Sequence, residues 1–82
     1  VNTLAKRRVL RAELRAQAAE VEQVVRDVGR WIAHTDAVLD RVFELELDPC
    51  WSTLVDARRV AAGRQLELVE TARELRAEAA ST

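Results

Sequence analysis

LRAELRAQAAEVEQVVRDVGRWIAHTDAVLDRVFEL, residues 10 to 45, decides the fold. Within it Leu10, Leu14, Val21, Val24, Val28, Trp31, Val38, Val42 and Leu45 recur at alternating steps of four and three, with Gln17 and Thr35 at the two polar steps of the same register. Such alternation averages 3.5 residues, the period at which one stripe of a helix keeps facing a neighbouring helix. The stretch predicts one long helix built to lie against others. Ala18, Val25, Ile32 and Leu39 adjoin the seam and widen its apolar face.

Toward the amino end, Thr3 is the expected N-cap, and strong helix formers then run without proline until Pro49. The first helix is expected over residues 3 to 45, a length of about 65 Å. Gly29 costs about 1 kcal/mol relative to alanine in a helix interior, and Thr35-Asp36 has capping chemistry, so a break between 29 and 35 is the competing reading. Continuity of the seam through that region argues against it, because a broken helix has no need to preserve phase. Asp48-Pro49 is the clearest punctuation, with aspartate as N-cap and proline as the first residue of a second helix expected over 49 to 79.

The stripe of the second helix is Trp51, Leu54, Ala61, Leu68, Ala72, Leu75 and Ala79, with Val55, Ala62, Leu66 and Val69 alongside. Arg58 and Gln65 interrupt it. A tight turn makes the two helices antiparallel neighbours, and folding about residues 47 to 48 sets Trp31 near Ala61, Ala62 and Gly63. The expected fold is all-α, one long antiparallel helical hairpin forming a single domain over 1–82.

Composition agrees. With 82 residues the chain is near the size at which a single core is marginal. Two glycines, one proline, no tyrosine and one phenylalanine leave little material for a sheet or long loops. One cysteine excludes an intramolecular disulfide and a zinc site of paired thiols. No apolar run is long enough for a membrane span, and no signal-peptide pattern opens the chain, so a soluble cytoplasmic protein with no membrane partner is expected. Twelve of the thirteen basic residues are arginine, which points to a GC-rich bacterial genome.

The second helix should cover the first only back to about residue 16, leaving residues 1 to 15 as an overhang that carries Leu4, Val9, Leu10 and Leu14. A second chain is expected to cover them, most economically as a homodimeric four-helix bundle. Charge is sorted to match: residues 1 to 30 carry a net +3, residues 31 to 56 a net −5, and residues 57 to 82 a net +1. Lys6, Arg7, Arg8, Arg11 and Arg15 cluster in the overhang, and Asp36, Asp40 and Glu44 form an acidic ridge expected on the outer face. The expected partner-binding residues are thus Leu4, Arg7, Arg8, Leu10, Arg11, Leu14 and Arg15 with Asp36, Asp40 and Glu44. The two charged groups would meet across an antiparallel dimer.

Catalytic chemistry finds little purchase. His34 has no partner ligands, since Asp27 and Val38 complete no metal set with it. Cys50 is expected to pack beside Trp51, with no base to make it a nucleophile. Asp36, Asp40, Glu44 and Asp48 lack a calcium loop. No enzyme activity, cofactor or metal is therefore expected. Asn2–Arg8 resembles a basic-leucine-zipper arm, but the seam beyond it lacks the leucine repeat, and no aromatic stands among the basic residues to stack on bases. The Trp-x-Gly turn of small secreted WXG-type hairpins would need glycine at position 53, where this chain has Thr53, so no family is assigned. The leading expectation is a helical protein–protein association module, acting as an adaptor, assembly subunit or regulator. The alternative is a nucleic-acid-binding accessory protein or antitoxin-like regulator that uses the basic overhang.

Overall fold

Two helices, α1 (Asn2–Val42) and α2 (Pro49–Ser81), pack side by side and antiparallel along a rod of 67 × 15 × 14 Å. The computed structural model describes residues 2–42 and 49–82; the expected end of the first helix at 45, Glu44, and the Asp48 cap lie outside the described residues. Helix α1 runs unbroken through Gly29 and Thr35, as the phase of its seam required. Its first turn begins at Asn2, so Thr3 lies inside the helix and is not its cap, a correction of one residue at a terminus where such boundaries are least sharp.

Which stripe of α1 meets α2 is the main difference from expectation. Leu14 and Ala18 are buried, Val21, Val25, Val28, Ile32 and Leu39 are half-buried, and Thr35 is 3 % exposed. The seam toward α2 is therefore the row 14, 21, 28, 35 together with the row 18, 25, 32, 39. The row 10, 17, 24, 31 lies on the other side of 14, 21, 28, 35, and its apolar members stay open: Leu10 is 45 %, Val24 45 % and Trp31 41 % exposed. A helix whose apolar face is three rows wide cannot bury all three rows against one neighbour.

Helix α2 follows its expected stripe. Ala72 and Ala79 are buried, and Trp51, Leu54, Ala61, Leu68 and Leu75 are half-buried. Alanine at buried positions of both helices allows close backbone approach, but it also makes a thin core. Among the described residues no large side chain is fully buried.

The two polar residues that interrupt the α2 stripe are used. Arg58 makes a bidentate pair with Asp36, Nε to Oδ1 at 2.5 Å and Nη2 to Oδ2 at 3.1 Å. Gln65 Nε2 donates to the Val25 carbonyl oxygen at 3.3 Å, and a Cβ built on Gly29 would stand 3.0 Å from that same nitrogen. Gly29 is thus a clearance for an inter-helix amide, which explains a residue the helix otherwise disfavours. Trp31 facing Gly63 is corrected, since Gly63 is exposed, a Cβ there meets nothing within 4 Å, and Trp31 lies on the open row. Small-for-large matching at this level falls instead on Gly29 and Gln65.

Farther toward the termini, Arg76 holds Glu22 through both guanidinium edges, Nε to Oε2 at 2.9 Å and Nη2 to Oε1. Hydrogen bonding from Arg58 lowers the Asp36 pKa, and that from Arg76 lowers the Glu22 pKa, in both cases against a smaller opposing effect of desolvation. A depressed carboxylate contributes stability at pH above its ordinary range and loses it as pH falls through the lowered value. Asp36→Asn is therefore expected to lower the thermal midpoint at pH 7, and the gap from the parent should close as pH is taken down through the carboxylate range. A gap that stays constant with pH would show that the pair contributes nothing.

Candidate functional site

The site is a surface, and it follows from the three-row face of α1. One edge of the seam is polar and satisfied: Glu22 and Asp36 are paired to α2, with Gly29 between them under Gln65. The other edge is the open row of Leu10, Gln17, Val24, Trp31 and Val38, of which Val38 is half-buried. Valine and tryptophan in a helical row at seven-residue spacing have the form of a second packing seam. The sequence placed this row in the seam together with the row of Leu14, Val21, Val28 and Thr35, of which only the latter is turned to α2. The open row is the secondary seam, and only burial distinguishes the two.

Of the apolar residues in the overhang, Leu10 stands on the open row, Leu4 on the row of Ala18 and Val25, and Val9 on the outer face. Leu4 and Val9 are 56 % and 58 % exposed, while Arg11 is half-buried and Leu14 is buried, so cover from α2 reaches a little farther than the expected limit at residue 16. Leu14 thereby belongs to the hairpin core. Leu4, Leu10, Arg7, Arg8 and Arg15 are exposed, and among the described residues none of Lys6, Arg7, Arg8, Arg11 and Arg15 joins an ion pair.

The acidic ridge is altered. Asp36 is half-buried and bound by Arg58 of its own chain, because its place on the helix lies beside the seam rather than opposite it; the expectation of Asp36 on the outer face is corrected. Asp40 is exposed, and Glu44 lies outside the described residues. Cys50 is exposed at the start of α2 rather than packed, and His34 is exposed. Among the described residues no three histidine, cysteine, aspartate or glutamate side chains are grouped closely enough to hold a metal ion, and no helix is long and apolar enough to cross a membrane.

Surface area gives the site a scale. A compact monomer of 9.2 kDa exposes about 4,900 Å² by the usual size scaling. This chain exposes 6417 Å², about 1,500 Å² more. A standard protein–protein interface buries about 800 Å² per partner. The excess is enough for such an interface. No known protein family, curated protein or solved structure matches the chain.

Proposed function

We propose that the chain is a non-enzymatic helical association module, an adaptor, assembly subunit or regulator that acts as a homodimer or docked on a larger partner. The observation that carries this reading is the open row of Leu10, Val24 and Trp31 running beside a hairpin in which, among the described residues, no large side chain is fully buried. Two helices alone enclose no core, and a third or fourth helix laid on that row supplies one. Coiled-coil packing between chains and a cytoplasmic setting are part of the reading, the latter supported by a composition with a single cysteine.

Light scattering and thermal melts at several concentrations test it. An associating chain should show twice its own mass at micromolar concentration and a midpoint that rises with concentration. A monomer that unfolds cooperatively at a concentration-independent midpoint would overturn the reading, since the open row would then need no cover.

The exposed basic residues of the overhang favour a second reading, contact with nucleic acid. In that case the chain should retard DNA or RNA at low ionic strength, with affinity falling as a steep power of salt concentration, and Gln at Arg7, Arg8, Arg11 and Arg15 should abolish retardation without changing the mass. If the same replacement lowers the dimer affinity and retardation is absent from the start, the overhang serves a protein partner.

A further inference from the structure

We infer that a second copy of this chain covers the open row of α1, lying antiparallel to it with the twofold axis beside Asp27. The inference rests on the association reading above and names its occupant, orientation and register. It starts from the rim. One step farther round α1 from the open row stand Lys6, Glu13, Glu20, Asp27, His34 and Arg41, all exposed and seven residues apart. These are the side chains that would border a helix docked on the row, and in an antiparallel twofold pair they face the same row of the other copy.

Parallel packing brings the basic amino-terminal residues of the two copies together at one end and the acidic residues 31 to 56 together at the other. Antiparallel packing about Asp27 instead sets Glu13 against Arg41 of the second copy, and Glu20 against His34, whose ring can donate to a carboxylate in either protonation state. Only Asp27 meets itself, and that carboxylate is already held within its own chain by Arg30 and by Gln23 Nε2 at 3.0 Å. Sliding toward more overlap by one heptad puts Glu20 against Asp27 and Lys6 against Arg41. Sliding the other way keeps opposite charges facing, Glu20 with Arg41 and Asp27 with His34, but shortens the overlap of the two α1 helices by seven residues. The register about Asp27 is the longest overlap that charge permits, and it sets Trp31 level with the valines 21 and 24 of the other copy.

Distances between symmetry mates test this directly. With Cys50→Ser as background, single nitroxide labels are placed at Glu13→Cys, Asp27→Cys or Arg41→Cys, and the separation between copies is read by pulsed dipolar spectroscopy. Labels at 27 should lie within about 20 Å of each other, whereas labels at 13 and at 41, each fourteen residues from the axis, should both lie about 42 Å apart at 1.5 Å rise per residue. Short distances at all three sites mean a parallel pair and overturn the inference. Doubled mass with no coupling at 27 overturns it too, placing the interface on another face while association itself stands. A chain that stays monomeric and melts without cooperativity rules out the second copy but leaves a different partner for the row; a cooperative monomer ends both readings.

Discussion

Replacing Val24 and Trp31 together by aspartate should reduce self-association by at least about 100-fold, equivalent to about 2.7 kcal/mol, while the hairpin stays helical. Both side chains are more than two-fifths exposed in the single chain, so the fold loses little by the change. In the proposed pair they would form the apolar centre of the interface. A carboxylate placed there without a partner carries a desolvation cost of several kcal/mol, and twofold symmetry makes every substitution twice. Sedimentation equilibrium reads the association and far-ultraviolet circular dichroism the helicity. Unchanged association would move the interface off this row; loss of helicity without dilution would show that the row belongs to the hairpin itself.

The second large effect sets the two glycines against each other. Gly29→Leu should destabilise by about 1–3 kcal/mol, because its side chain must occupy the place of the Gln65 amide, 3.0 Å from even the first added carbon. Gly63→Ala should stabilise by about 0.5–1 kcal/mol, since a methyl there meets nothing within 4 Å and removes the helix penalty of glycine. Urea unfolding of both variants at one protein concentration decides it. Equal signs would mean that the hairpin register drawn from Gln65 is wrong.

Sequence periodicity carried the architecture a long way. Both helices, their antiparallel pairing and the stripe of α2 could be read from apolar spacing, because a heptad row on an uninterrupted helix has one physical meaning. It could not decide between the row of Val24 and Trp31 and the row of Val25 and Ile32, which are equally apolar and share their middle row. The tie is broken by groups that apolar counting treats as defects. Arg58 requires Asp36, Gln65 requires the gap at Gly29, and Arg76 requires Glu22, and all three lie on one edge of α1. Polar interruptions at seam positions of one helix, matched against acidic and glycine positions of the other, were the signal available in the sequence. The candidate surface is legible only after that choice, as the apolar row left over.

The overhang adds a consequence in time as well as space. Residues 3 to 10 form helix and are all exposed, so their amide hydrogens should exchange with solvent at a rate set by fraying of the helix end rather than by global unfolding. A partner laid over this end slows that rate, whereas the second copy placed about Asp27 ends its α1 opposite residue 12 and leaves the rate unchanged. The same segment offers trypsin Lys6, Arg7 and Arg8 in succession, sites that can be cut only when the helix opens. Slow exchange and resistance to cleavage at this one end therefore report a partner laid on the overhang itself, and an associated chain that still frays and is cut there is what the register about Asp27 requires.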